Sequence, residues 1–201
     1  MWMSKYARQA ATRSILVAAI WYAHPTEIWA QSDLSIGYQF ARVSTGTGSF
    51  NLPYGLEVDY AYPSGDQRRI GGAGDWGRRS QGGTVDAIPV TTTFSQLSVA
   101  GGVRYVFRTH LPVVPYLQAM VGVARSSTRA TTSNAVAVES ASTDLMVQPG
   151  VGTNVPVGGR WSIFGQADYR QLWPGQSSAV FFRELVHGIR AVAGVRFSLN
   201  R

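Results

Sequence analysis

Residues 190–199 read Arg190-Ala191-Val192-Ala193-Gly194-Val195-Arg196-Phe197-Ser198-Leu199. Taken in alternate positions, Ala191, Ala193, Val195, Phe197 and Leu199 are apolar. Arg190, Gly194, Arg196 and Ser198 fall between them, with Val192 the one apolar intruder. A period of two is the signature of a strand, whose successive side chains point to opposite faces. One face of this strand suits hydrocarbon and the other a polar interior.

The pattern recurs upstream. Leu34, Ile36, Tyr38 and Phe40 oppose Asp33, Ser35, Gly37 and Gln39, and Leu56, Val58, Tyr60 and Tyr62 oppose Glu57, Asp59 and Ala61. Leu97, Val99, Gly101, Val103 and Tyr105 oppose Ser98, Ala100, Gly102 and Arg104. Further on, Trp161, Ile163, Ala167 and Tyr169 oppose Ser162, Gln166, Asp168 and Arg170. Eight strands are predicted, over 33–43, 54–62, 68–79, 97–105, 116–123, 145–155, 161–170 and 190–199. The third holds Ile70 and Trp76 among many glycines and four arginines. Pro149 cannot donate to a ladder, so a bulge is expected there. Segments 44–51, 80–91, 126–143 and 171–184 read as long polar loops, whereas 63–66, 108–113 and 156–159 read as short connectors. Long and short connectors therefore alternate. That is the asymmetry of a membrane barrel with an even strand number, and a soluble sandwich has no reason to keep it.

Composition agrees. The 201-residue chain is 45% hydrophobic and 14% charged, yet no stretch reaches the roughly 18 apolar residues of a spanning helix. The absence of Cys excludes disulfides, thiolate metal sites and a Cys nucleophile. Residues 1–30 are expected to form a cleavable signal peptide, with residues 31–201 the barrel domain. Lys5, Arg8 and Arg13 are its basic start, residues 15–23 its short apolar core, and Ile28-Trp29-Ala30 its cleavage site. The alternative is a soluble N-terminal helix. The formal charge of +7 falls to about +5 without that segment, and every remaining basic residue is Arg. Arg makes planar contacts to phosphate, which suits outer-membrane lipid and lipopolysaccharide. The arginines are dispersed singly with no interleaved aromatic stripe, so nucleic acid is not an expected partner.

The stretches GYQFARVS, PYGLEVDYAY, PYLQAMVGVARSS, VQPGVGTNVPVGGRWSIFGQADYRQL and RAVAGVRFSL resemble the bacterial outer-membrane β-barrel domain family, similar in architecture to the transmembrane domain of outer-membrane protein A. The resemblance covers nearly all of the chain after residue 30. It implies an all-β fold, an eight-stranded antiparallel up-and-down transmembrane β-barrel in the bacterial outer membrane, with no shared catalytic residues. It also implies that Gly194, Phe197 and Leu199 form an assembly signal read by the barrel-insertion machinery. The family often has an inward Arg where this chain has Phe164, a departure that bears on the pairing inside the barrel.

An eight-stranded barrel is just wide enough for side chains to fill. A lumen charge network of Glu57, Asp59, Arg104, Asp168, Arg170, Arg190 and Arg196 is expected, with Gln118, Gln148 and Gln166. Gly37, Gly102, Gly122, Gly150, Gly152 and Gly194 would leave room for the long side chains. Phe40 and Tyr169 are expected in the outer interface belt, and Tyr62, Tyr105 and Trp161 in the periplasmic one. His187 has Ser177, Ser178 and Glu184 nearby in sequence, a composition some lipid-modifying barrels use, but no compact His-x-Ser pattern lies on a lipid-facing strand. His24 falls in the signal segment and His110 in a short connector. The glycines at 71–74 lack the Lys-Ser/Thr of a phosphate loop, and Glu139 and Asp144 are too sparse for calcium. No cofactor or metal is expected. The expected function is a structural or surface-interaction barrel without catalysis. A small-solute pore, a ligand-binding barrel and a lipid-modifying enzyme are the alternatives. A lipocalin-like barrel has the same period, but the charges opposite the aliphatic face argue against it. The sequence identifies no partner for the outer loops.

Overall fold

The computed structural model describes residues 32–46, 48–85, 88–107, 109–132, 136–174 and 186–199. The expected signal segment, with His24, lies outside the described residues, as do Ser177, Ser178 and Glu184. The strands are β1 (Asp33–Thr45), β2 (Gly48–Leu52), β3 (Tyr54–Pro63), β4 (Arg68–Val85), β5 (Ile88–Val106), β6 (Val114–Thr132), β7 (Val136–Gly158), β8 (Trp161–Pro174) and β9 (Val186–Ser198). All pair antiparallel with their neighbours, and β9 returns to pair with β1. β2 and β3 form one wall strand interrupted at Pro53. Leu52 faces Ala41 but Leu56 faces Tyr38, so the register slips by one across the break. The Tyr38 hydroxyl donates to the Pro53 carbonyl there. The wall is thus a closed eight-stranded barrel.

Closure leaves no unpaired strand edge, which hydrocarbon would penalise by several kcal/mol per polar group. Paired residues run from Leu34 through Tyr60, Gly72, Gly101, Val121, Val147, Gln171 and His187 back to Ser44. One circuit therefore climbs about ten residues along β1, the stagger of a barrel whose strands tilt by roughly 35–45°.

The structure corrects the expected loops. β1 and β2 pair up to Thr45 and Gly48, β4 and β5 up to Val85 and Ile88, and β6 and β7 run through most of 126–143. β8 continues to Pro174, so only 175–184 of the last predicted loop is without a described structure. Beyond the hydrocarbon both faces of a strand meet water, so the apolar alternation disappears while the ladder continues. β-branched residues such as Thr91, Thr92 and Thr93 still favour strand there. The bulge expected at Pro149 is also absent. β7 keeps its register with β6 through Ala119 and Pro149. On the other side the ladder passes from Val147 and Gln171 to Gly150 and Asp168 without a shift. Pro149 simply omits a donor on that side. The register shifts instead at Ala130/Thr131 and at Pro156/Gly158, where Gly158 and Gly159 adopt φ of 136° and 57° in the tight turn to β8.

Outward positions carry Leu34, Ile36, Val58, Val99, Val103, Val121, Val151, Ile163 and Val195, all exposed on the protein surface as a lipid-facing band requires. Charged and amide side chains of opposite parity are buried inside.

Candidate functional site

The lumen is built in tiers, beginning at the end that carries the short turns. Asp33 of β1 pairs with Arg69 of β4, and Ser198 donates to Asp33 at 3.0 Å. Just inside, Asp59 is shared. Arg104 Nη2 donates to its Oδ2 at 3.0 Å, Ser35 at 3.3 Å and Arg196 at 3.4 Å. Arg196 also donates to Asn154 at 2.7 Å and Ser35 at 2.8 Å. The Tyr116 ring lies 4.5 Å from the Arg104 guanidinium and 5.5 Å from that of Arg196, distances at which a cation is drawn to the ring face. Its hydroxyl donates to Gln166 at 2.9 Å. Phe164, where the family pattern suggested Arg, points inward and packs 5.1 Å from Arg196.

The middle tier centres on Arg190, which is 1% exposed. It pairs with Glu57, donates to Asp168 at 2.6 and 3.0 Å, lies 3.4 Å from Asp75, and donates to Gln39 at 3.2 Å. Asp168 also accepts from Gln118 at 2.9 Å and Gln166 at 2.8 Å. Above it, Arg170 grips Asp75 at 2.7 and 3.2 Å and Gln148 at 2.8 and 3.0 Å. Ser98 and Gln39 also donate to Asp75. Glycines make the space. A Cβ on Gly152 would strike the Tyr116 ring, and one on Gly150 the Asp168 carboxylate. Five arginines therefore interlock with five carboxylates from six strands across a buried interior. Such pairs are strongly coupled because neither partner can be solvated if the other is removed.

Above the polar tiers lies an apolar layer. Val43, Leu52, Ala124, Met146, Leu172 and Val186 meet across the lumen, with Phe50 and Phe94 packed on them at 4.9 Å between ring centroids. Over it the extended hairpins frame an open outer cavity of about 470 Å³, with Phe50, Phe94, Val90, Arg79, Gln81 and Thr128 among its walls.

All seven residues of the expected charge network are buried and within this connected set. Asp33, Arg69, Asp75, Gln39, Gln96 and Tyr116 also take part and were not singled out from sequence, although their parity along the strand matched that of the inward residues. Phe40, Tyr62, Tyr105, Trp161 and Tyr169 all point outward and are exposed. At the C-terminal end Phe197 packs on Trp161 at 4.8 Å, and the Leu199 amide donates to Ser32 at 2.7 Å. Gly194 backs directly onto the Ile36 carbonyl of β1. His187 faces outward and stacks on Tyr169 at 6.3 Å, and His110 is exposed in its connector. No metal-binding cluster of His, Cys, Asp or Glu occurs among the described residues.

The sequence model described as "outer membrane protein beta-barrel domain" matches residues 13–197. No curated protein matches the chain. Neisserial surface protein A is 19% identical, with 84% of this chain and 97% of that one aligned and a TM-score of 0.61. Ail, the attachment invasion locus protein of Yersinia pestis, is 19% identical over 85% of this chain and 100% of that one, with a TM-score of 0.57. A structure of Ail with the heparin analogue sucrose octasulfate gives 19% identity over 83% and 98%, with a TM-score of 0.56. At these identities the likeness is one of fold.

Proposed function

As the chain belongs to the outer membrane protein beta-barrel domain family and so resides in the bacterial outer membrane, we propose that it is a structural or surface-interaction barrel, closed to solutes and without catalysis. The observation that carries this reading is the double seal. The arginine–carboxylate tiers occupy the lumen from Asp33 to Arg170, and the apolar layer from Val43 to Leu172 closes the outer end. Paired charges, and then apolar side chains packed beside Ser126, Ser142 and Asp144, would oppose the passage of a hydrated ion. Support for the absence of catalysis comes from the lumen carboxylates Asp33, Glu57, Asp59, Asp75 and Asp168, each of which is held by an arginine. Surface interaction is supported by the β4–β5 and β6–β7 hairpins, which carry polar residues well beyond the apolar band. Gly194, Phe197 and Leu199 serve assembly by the insertion machinery, and the outward aromatics serve as interface belts. Planar-bilayer recording tests the seal. No reproducible conductance steps are expected, and a stable open level at any voltage overturns the closed reading.

A second reading has its own observation. The outer cavity of about 470 Å³ combines an aromatic floor with Arg79 and Thr hydroxyls, and Ail has been seen with a heparin analogue. Anionic saccharides are therefore the ligands to titrate. Saturable binding lost in Phe94→Ala supports this reading, and binding unchanged by that variant removes it.

A further inference from the structure

Beyond its closed, lipid-facing part the wall of the barrel is split. β3 pairs with β4 as far as Tyr54 and Arg78, whereas β4 continues with β5 to Val85 and Ile88. From Arg79 to Val85, β4 therefore has β5 on one side and no paired strand on the other among the described residues. β2, the next element around the wall above Pro53, pairs with β1 alone. The wall thus carries two unpaired strand edges facing each other across the break at Pro53. An edge is a row of free N–H and C=O groups, and proteins commonly blunt it with Lys, Pro, a bulge or a covering segment. Residues 79–85 contain neither Lys nor Pro, and their ladder to β5 runs without a shift. Ser80, Gln81, Gly82, Gly83 and Thr84 are exposed. A Cβ added to Gly82 or Gly83 would meet nothing within 4 Å. At about 3.4 Å per residue the free edge is roughly 20 Å long.

The open outer cavity of about 470 Å³ lies along this edge, with Phe50 of β2 among its walls. Gln81 and Gly83 share the inward parity of Asp75, whereas Gly82 and Thr84 do not, yet all four line the cavity. It therefore reaches round the edge of β4 as well as over its inner face. Phe50, Phe94 and Val90 make its apolar part, and Phe50 holds Phe94 edge-on at 4.9 Å. Arg79, which donates to Gln81 at 2.8 Å, is the one charged residue among the described walls.

We propose that the slot between β2 and the free edge of β4 binds an extended segment of another polypeptide, which adds to β4 as a further strand. The site rests on the surface-interaction reading and names its partner class. Main-chain bonds to residues 79–85 supply affinity, and alternate side chains reaching the cavity supply specificity. Those side chains meet Phe50, Phe94 and Val90, which suit an aromatic or aliphatic residue, and Arg79, which suits a carboxylate. The occupant is therefore a proline-free segment with an apolar and an acidic residue on one face. A second copy pairing through the same edge would bring another Arg79 and no carboxylate from 79–85.

The test selects random octapeptides, displayed on phage, on the folded barrel in lipid nanodiscs, and titrates the synthesised winners. Enriched sequences should lack proline and combine an aromatic or aliphatic residue with Asp or Glu. Successive residues of a strand present their N–H groups to opposite edges. Methylating every second backbone nitrogen of a selected peptide should therefore weaken binding at least tenfold in one phase of the alternation and far less in the other. On the barrel, Gly82→Pro and Gly83→Pro are compared. By the same alternation one of these two N–H groups faces the free edge, and removing it should weaken binding at least tenfold while the compact, heat-modifiable gel band is retained. Arg79→Gln should weaken acidic peptides and leave neutral ones unchanged. Failure of any peptide to enrich overturns the slot, as do peptides indifferent to the phase of methylation and wild-type affinity in both proline variants. Retention of an anionic saccharide with no peptide enriched overturns it too and favours the saccharide reading. A stable open level in planar bilayers would instead overturn the closed surface-interaction reading, a result distinct from failure of the slot.

Discussion

Replacing Arg190 by Gln is the most searching perturbation of the lumen. Arg190 pairs with Glu57 and Asp168 and lies 3.4 Å from Asp75. The three carboxylates do not suffer equally when it is lost. Asp75 keeps Arg170 at 2.7 Å and the Ser98 hydroxyl. Asp168 keeps the amides of Gln118 and Gln166 at 2.9 and 2.8 Å. Glu57 is 1% exposed and has Arg190 as its one ion-pair partner among the described residues. The expected loss is therefore that of stranding one buried charge, about 3–5 kcal/mol, and it should be concentrated at Glu57. Urea unfolding of the barrel in lipid vesicles, followed by tryptophan fluorescence and by the compact gel band, measures it. Adding Glu57→Gln to Arg190→Gln should recover about 1–3 kcal/mol relative to the Arg190 variant alone. An Arg190→Gln barrel within about 1 kcal/mol of wild type refutes the reasoning, because exposed pairs are worth that little. So does a double variant less stable than the single one.

Gly194→Val should block closure, since a Cβ there would meet the Ile36 carbonyl, and the folded gel band should be largely lost. Met146→Ala, in the outer apolar layer, should destabilise by about 2–5 kcal/mol in the same urea assay. Phe197→Asp should reduce insertion in cells far more than Ser127→Asp in the β6 hairpin arm, with surface protease accessibility as the readout. Normal insertion of the Phe197 variant would count against its role in assembly. Fluorophores at Val99 and Val121 should be quenched by lipid-borne quenchers near the bilayer centre, and water-soluble quenching alone would reverse the assignment of faces.

Much of the barrel was legible because one physical constraint writes itself on every membrane-spanning strand. Hydrocarbon outside and packed polar groups inside force a period of two, and residues such as Leu34, Asp59, Val99, Arg104 and Arg190 fall on the expected faces. The same constraint explains where the reading stopped. It lapses where strands leave the hydrocarbon, so the arms of β4, β5, β6 and β7 looked like loops although their ladders continue to Val85, Ile88, Thr132 and Val136. Glycine hid part of the wall in another way. In β4, Gly71, Gly72, Gly74 and Gly77 have no side chain to report a face, so 68–79 reads as a strand without a defined inward side and Arg69 and Asp75 are not assigned to the lumen.

The apolar layer was hidden for a deeper reason. Val43, Met146, Leu172 and Val186 have the inward parity of their strands, and an inward apolar residue breaks the polar-inside rule used to recognise that parity. Read singly, each looks like Val192, an intruder. Only the stagger of the barrel brings them to one level from four different strands, and stagger is a property of pairing that no single strand encodes. The layer also covers the buried charges below it from the outer side. A ring of arginines and carboxylates open to the outside would draw in water and weaken every pair, because the attraction rises as the local dielectric falls. With Phe50 and Phe94 packed over Met146 and Leu172, the same charges sit in a closed interior where each depends on its partner. The Met146→Ala variant should therefore do more than remove packing. Arg170, in the tier below, should become accessible from the outer side, and guanidinium-selective dicarbonyl labelling should rise there while Arg196, several tiers down, stays protected.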